Sequence, residues 1–318
     1  MKTASKTASG IHHITAIASD PKRNFDFYTK VLGLRFVKKT VNFDDPSTYH
    51  FYFGDNAGSP GTILTFFPHP DLPKGRAGTG QAVEIAFAIP KSALSFWIDR
   101  FHQLGITYQG PERHFDDTVV RINDPDGLML EFVGTDDLPE NGQDNGVVWA
   151  TDEIGADVAI RGFHSVALWV DDQAKTAKLL TGQLGFKLIG NDGSRYRYAT
   201  GQTGVGQVVD LREIPGMWRG APGAGTVHHV AWRVGDDEAE LSVRAGLETA
   251  GMRLTEVIDR NYFHSVYFRE PNGVLFELAT DNPGFDIDEP IDTLGQDLKL
   301  PAQYEQYRDA IASALPAL

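Results

Sequence analysis

One pattern occurs four times along this chain, and that repeat constrains its fold more than any other feature. Segments 10–18, 81–90, 162–170 and 226–234 each read as a strand. An amphipathic stretch follows each of them, over 21–32, 92–104, 174–184 and 238–250. Each stretch runs directly into a glycine: Gly33, Gly105, Gly185 and Gly251. Glycine at that place suits a helix C-terminus, because it enters the left-handed region without a Cβ clash. Two or three short strand-like runs separated by turn residues complete each unit. The second and fourth units end alike, in Asp124-Pro125-Asp126-Gly127-Leu128-Met129-Leu130-Glu131 and Glu270-Pro271-Asn272-Gly273-Val274-Leu275-Phe276-Glu277. The expected architecture is α+β, with four βαβββ modules paired into two domains. Its expected boundaries are an N-terminal domain over 1–140 (modules one and two), a linker over 141–160 and a C-terminal domain over 161–281 (modules three and four). A tail over 282–318 follows, with a short amphipathic helix at 302–314.

Composition narrows the function classes. With 318 residues the chain exceeds one small core, and its 41% apolar and 23% charged content is ordinary for a globular protein. A formal net charge of -14 without a basic cluster argues against nucleic acid and anionic membranes as partners. No apolar run is long enough to span a bilayer, and the polar start lacks a signal-peptide core, so a cytoplasmic location is expected. There is no cysteine, which excludes disulfides, zinc–thiolate sites, iron–sulfur clusters and cysteine nucleophiles. A transition metal here must be held by imidazole and carboxylate. The string Gly201-Gln202-Thr203-Gly204-Val205-Gly206 only superficially suggests a phosphate loop. It precedes a strand-like run, whereas a phosphate loop opens a helix.

Chemistry concentrates in two histidine doublets and a glutamate. Ile11-His12-His13-Ile14-Thr15 and Val227-His228-His229-Val230-Ala231 lie in the first strands of modules one and four, and Glu277 lies in the apolar run Val274-Leu275-Phe276-Glu277-Leu278-Ala279. Taken singly, such a residue is more often a hydrogen-bonded core group than a ligand. Jointly they supply two imidazoles and one carboxylate, the donor set of the facial triad of non-heme Fe(II) oxygenases. Strand neighbours face opposite sides, so one histidine of each doublet can face a cavity, but periodicity does not say which. The other two modules carry Ser165, Glu84 and Glu131 at the positions matching His13, His229 and Glu277. Serine in place of histidine removes a good ligand, so a second cup without metal is expected, with Glu131 paired to a base such as Arg121.

These strings, together with Val37-Lys38-Lys39-Thr40-Val41-Asn42-Phe43-Asp44, Tyr49-His50-Phe51-Tyr52-Phe53-Gly54-Asp55 and the stretch 259–277, resemble the vicinal oxygen chelate superfamily. Within it they resemble the ring-cleaving dioxygenases of the hydroquinone-cleaving type. The resemblance covers nearly the whole chain. It implies the vicinal oxygen chelate fold, with modules one and four forming a cup that holds Fe(II), or Mn(II), on His13, His229 and Glu277. It also implies supporting roles for His12, Thr15, His228, Arg260 and Tyr267, with O2 and a small aromatic molecule as reactants. Arg260 suits a phenolate as a fixed positive charge, and Tyr267 and His228 suit proton handling. His264 and Tyr262 compete for these roles. His50, His69, His102, His114 and His164 read as structural or surface residues, while Phe53, Phe66, Trp232 and Phe263 are candidates for shaping the pocket. The rival readings are a catechol-type extradiol dioxygenase, a glyoxalase-like metal-dependent lyase or isomerase, and a non-catalytic sequestration module. Association into a homo-oligomer is left open.

Overall fold

The structure is a computed structural model that describes residues 7–136, 138, 148–201 and 205–318. Part of the expected 141–160 linker, residues 141–147, and positions 202–204 of the glycine-rich string lie outside the described residues. Module one contributes β1 (Ile11–Ala18), β2 (Arg35–Asn42), β3 (Asp45–Gly54) and β4 (Ile63–Pro68). Module two contributes β5 (Gln81–Pro90), β6 (Tyr108–His114), β7 (Asp117–Asn123) and β8 (Met129–Thr135). Module three contributes β9 (Phe163–Val170), β10 (Lys187–Asp192), β11 (Arg195–Ala199) and β12 (Val208–Glu213). Module four contributes β13 (Thr226–Gly235), β14 (Ile258–Asp259), β15 (Phe263–Arg269) and β16 (Leu275–Pro283). A helix follows the first strand of each module: α1 (Pro21–Asp26), α2 (Leu94–Gln103), α3 (Gln173–Gly182) and α4 (Asp237–Thr249).

The helix boundaries follow from local chemistry. Asp20, Asp172 and Asp236 cap the N-termini of α1, α3 and α4, their side chains accepting from Arg23 N, Ala174 N and Ala239 N. Gly33, Gly105, Gly185 and Gly251 all have positive φ, as the repeat predicts. After Asp26 the first helix widens into a π-helical turn over Phe27–Val31, so α1 is shorter than its amphipathic pattern. On α2, Trp97 and Phe101 are fully buried and pack on Phe132 at 4.7 and 5.0 Å between ring centroids. Each such ring contributes roughly 2 kcal/mol by its removal from water.

Two eight-stranded sheets result, ordered β14-β15-β16-β13-β1-β4-β3-β2 and β10-β11-β12-β9-β5-β8-β7-β6. The first joins modules one and four and the second joins modules two and three, so each sheet takes one module from either half of the chain. The modules meet along antiparallel seams, β1 on β13 and β5 on β9. Both seams carry the same pair of bulges. In the first, Ile11 pairs Trp232 and His13 pairs Ala231, skipping His12; Thr15 pairs His229 and Ala16 pairs Val227, skipping His228. In the second, the pairing skips Val83 and His164 at the matching places. The correspondence of His13 with Ser165 and of His229 with Glu84 is thus a structural one.

The tail folds back on module one. Lys38, fully buried on β2, reaches Asp288 at 2.7 Å and Glu289 at 2.9 Å. Tyr304 donates to the Phe43 carbonyl at 2.9 Å, and Tyr49 donates to the Pro316 carbonyl at 3.0 Å. The tail ends in a 3-10 turn over Ala302–Tyr307 and α5 (Arg308–Ala314). Among the described residues, no helix is long and apolar enough to cross a membrane.

Candidate metal centre

His13 on β1, His229 on β13 and Glu277 on β16 converge. One ligand atom from each lies within 4.8 Å of the others, and all three side chains are buried. His13 Nε2 and His229 Nε2 stand 3.3 Å apart, with Glu277 Oε2 at 3.3 and 2.8 Å from them. Register explains the meeting. His13 and Glu277 both pair with Ala231, from its two sides, and His229 lies two residues before Ala231 on the same face.

The doublets have a physical explanation in the bulges. A bulge sets two residues of one strand against one of its partner and re-aims the side chains there. At each bulge the rear nitrogen of the inward histidine meets its neighbour: His13 Nδ1 lies 2.9 Å from His12 Nδ1, and His229 Nδ1 lies 2.8 Å from His228 Nδ1. The Thr280 backbone carbonyl accepts a hydrogen bond from His12. With His13 Nδ1 turned to His12, it is His13 Nε2 that faces His229 and Glu277. His12 thus stands behind His13 and lines a separate cavity of about 230 Å³. Outer partners of this kind orient a ligating imidazole and raise its basicity. His12→Ala and His228→Ala are therefore expected to weaken metal affinity about 10–100-fold each while the apo-protein stays folded. Competition with a metal-sensing dye measures this, and unchanged affinity would remove the bracing role.

The donor set fits a divalent transition metal. Glu277 is completely buried, yet no aligned hydrogen bond reaches its Oε2, although two imidazole nitrogens lie beside it. Its other oxygen accepts from the Ser265 hydroxyl. Burial raises the Glu277 carboxyl, but neighbouring His13 and His229 outweigh this and hold it well below the usual carboxylate range. A buried, charged and unsatisfied oxygen facing two imidazoles is what a shared cation resolves. Among the described residues this is the one three-donor cluster of its kind.

His13 and His229 form part of the wall of a cavity of about 430 Å³. Arg260, Tyr267 and His228 also line it. Arg260 Nε donates to the Tyr267 hydroxyl oxygen at 3.3 Å. Burial, then the negative charge of Glu277, push the Tyr267 phenol up from its ordinary value, so it stays protonated. Thr15 is completely buried and exchanges a hydrogen bond with Thr65 at 2.9 Å, away from the cavity lining. Tyr262 is buried, stacks on Phe285 and donates to Asp288, while His264 pairs with Asp237 at 2.6 Å outside the cavity.

Several lining residues escaped the sequence reading. His50, Tyr52 and His69 line the cavity, so His50 and His69 belong to its wall and are not merely structural or surface groups. His50 is bonded on both sides, to Thr65 at 2.9 Å and to Tyr52 at 2.9 Å. A signal was present: alternation along Tyr49-His50-Phe51-Tyr52-Phe53 sets His50 and Tyr52 on one face and Phe51 and Phe53 on the other. Of the proposed pocket aromatics, Phe263 lines the cavity, whereas Phe53, Phe66 and Trp232 are core residues on the opposite face.

The second sheet closes its own cup with ion pairs. Arg121 donates twice to Glu131, at 2.6 and 3.1 Å, the partnership expected from the sequence. Glu84 accepts from Trp169 Nε1 at 2.9 Å, from Arg212 at 2.8 Å and from Arg195. Burial works to raise the Glu84 carboxyl, but Arg195, Trp169 and Arg212 bring it down to about 2. Guanidinium groups thus neutralise the carboxylates where the first sheet gathers metal donors.

Comparison with known proteins agrees with this geometry. The profile of the Glyoxalase/Bleomycin resistance protein/Dioxygenase superfamily matches residues 10–132 and 162–278. The chain is 46% identical over 310 residues to MhqO of Bacillus subtilis, which is named as a proposed ring-cleaving dioxygenase, covering 98% of this chain and 96% of that protein. It is 33% identical over 312 residues to the chlorohydroquinone/hydroquinone 1,2-dioxygenase of Sphingobium indicum, covering 95% of this chain and 94% of that protein. A crystal structure of a proposed dioxygenase from Bacillus subtilis superposes with a TM-score of 0.93 at 44% identity, covering 99% of this chain and 98% of that one. The chain belongs to the Glyoxalase/Bleomycin resistance protein/Dioxygenase superfamily.

Proposed function

We propose that this chain is an Fe(II)-dependent dioxygenase that opens a hydroquinone-type ring with O2, with Mn(II) as the other metal its donor set admits. The observation that carries this reading is the convergence of His13 and His229, on the wall of an aromatic-lined cavity of about 430 Å³, with the buried carboxylate of Glu277. The name of the Sphingobium indicum relative supports the substrate class. The volume suits one substituted ring. Bound on these ligands, a divalent iron supplies a redox-active Lewis acid at which ring and O2 meet.

The chain's own residues supply the rest. Phe43, Phe67, Phe263 and Leu275 line the cavity and exclude water from the ring. Arg260 carries a fixed positive charge suited to a phenolate. Arg260 Nε donates to the Tyr267 oxygen and so orients the phenol on the cavity wall, where it can meet a substrate. His228 presents its remaining ring nitrogen to the same space. Tyr267→Phe is expected to lower kcat about 10²-fold while the metal stays bound; an unchanged kcat would reject this role.

The test of function is anaerobic Fe(II) loading followed by O2-electrode assays with hydroquinone and catechol side by side. Uptake with hydroquinone in excess of catechol is the expected result. The reverse order would overturn the ring class, and no uptake with either would overturn the dioxygenase reading. A glyoxalase-like lyase or isomerase is less well supported, because Thr15, where a further donor would be sought, is engaged with Thr65.

A further inference from the structure

Among the described residues, Arg260 and Asp44 are the one arginine or lysine and the one carboxylate side chain lining the cavity, and they are paired with each other. Arg260 Nη1 meets Asp44 Oδ2 at 3.3 Å across the junction of modules one and four. The Arg260 side chain is 18% exposed and that of Asp44 is 76% exposed, so the carboxylate stands between solvent and the guanidinium. Asp44 belongs to the turn between β2 and β3, and that turn is held in place. The Asn42 side chain accepts from Asp44 N at 3.0 Å, and Tyr304 of the tail fixes the Phe43 carbonyl at 2.9 Å. Apolar side chains, among them Ile17, Phe43, Phe67, Leu72 and Phe263, make up much of the remaining lining.

From this we infer that Asp44 is a specificity-determining residue that selects uncharged para-diol rings over rings carrying an additional carboxylate. This rests on the dioxygenase reading above and names its substrate class more closely. A ring with its own carboxylate must displace Asp44 from Arg260, or else settle beside Asp44 with like charges adjacent. A ring without that carboxylate brings one negative charge fewer to the pair and meets the obstacle less. The position of Asp44 at the solvent side sets the size of the effect: charges a few ångströms apart under solvent screening discriminate several-fold.

The test compares hydroquinone with 2,5-dihydroxybenzoate on the metal-loaded protein, by anaerobic calorimetric titration, with O2 uptake measured in parallel. Wild type is expected to bind hydroquinone the more tightly. Asp44→Asn should narrow the ratio of the two dissociation constants roughly fivefold, and Asp44→Glu should keep it. Raising the salt concentration should also narrow the wild-type ratio, which a purely structural role of Asp44 would not produce. An unchanged ratio in Asp44→Asn, or tighter wild-type binding of the acid, would overturn the assignment. A protein that shows the expected ratios yet consumes no O2 sustains the Asp44 assignment and overturns the dioxygenase reading. Binding of neither ring overturns both.

Discussion

A protein carrying Glu277→Ala leaves Fe(II) reconstitution with roughly a hundredth of the wild-type metal affinity or less, and without ring-opening turnover. The magnitude follows from the chemistry of the site. Glu277 is the one carboxylate of the cluster, and it is completely buried and charged beside two imidazoles. Its loss removes the anionic donor and leaves two neutral ligands, too few to hold a divalent ion against water. His13→Ala and His229→Ala should behave likewise, since each takes away one of three donors. Metal content by mass spectrometry after gel filtration is the direct measurement. A second readout is thermal unfolding with and without metal, because a ligand that binds only the folded state raises the melting temperature of wild type and not of these variants. Stoichiometric iron in purified Glu277→Ala would reject the site.

The second large effect belongs to the other cup, whose carboxylates Glu84 and Glu131 are paired with arginines. Glu84→Ala should destabilise the protein by about 3–5 kcal/mol and lower its melting temperature by roughly 5–10 °C. Glu84 is 1% exposed and accepts from Arg195, Arg212 and the Trp169 indole. Truncating it leaves Arg195 partly buried with one carboxylate fewer, Asp210 at 3.1 Å remaining in direct contact, and the indole loses its acceptor. Below the melting transition, metal retention should match wild type, because His13, His229 and Glu277 lie on the other sheet. Differential scanning calorimetry and metal analysis on the same preparation separate the two properties. A melting shift below about 1 °C would mean that the arginines find water at little cost, and that the pairs contribute as little as exposed ones do.

The two cups show how far the chain can be read without its structure. The repeat, the helix-ending glycines and the three candidate donors all rest on local signals: periodicity, left-handed glycine and residue type. The partnership of Glu131 with Arg121 was legible because the two lie on neighbouring strands of one hairpin. The Glu84 network was not, because Arg195 and Arg212 come from another module and meet Glu84 only through the β5–β9 seam. The bulges were hidden for a different reason. A bulge is a property of pairing, and neither doublet contains the glycine that would advertise one. Alternation alone sends His12 and His13 to opposite faces, so their Nδ1–Nδ1 contact could not be foreseen. The same holds for the π-helical turn after α1, where Leu32 N bonds the Phe27 carbonyl and the apolar spacing still reads as an ordinary helix.

The order in which modules pair has a consequence for the growing chain. Modules two and three are consecutive, so their sheet can close as soon as both have been synthesised. Module one must hold β1 in readiness until module four arrives, and His13 and His229 are separated by 216 positions. Sheet formation is therefore nested, with a short-range closure inside a long-range one, and the outer closure is the slower. The half-built protein exposes the edge of β1 throughout that interval, which is when it is most open to wrong pairing. The His/His/Glu cluster is accordingly completed only with module four: a chain arrested after module three has a complete inner sheet and a single histidine of the cluster.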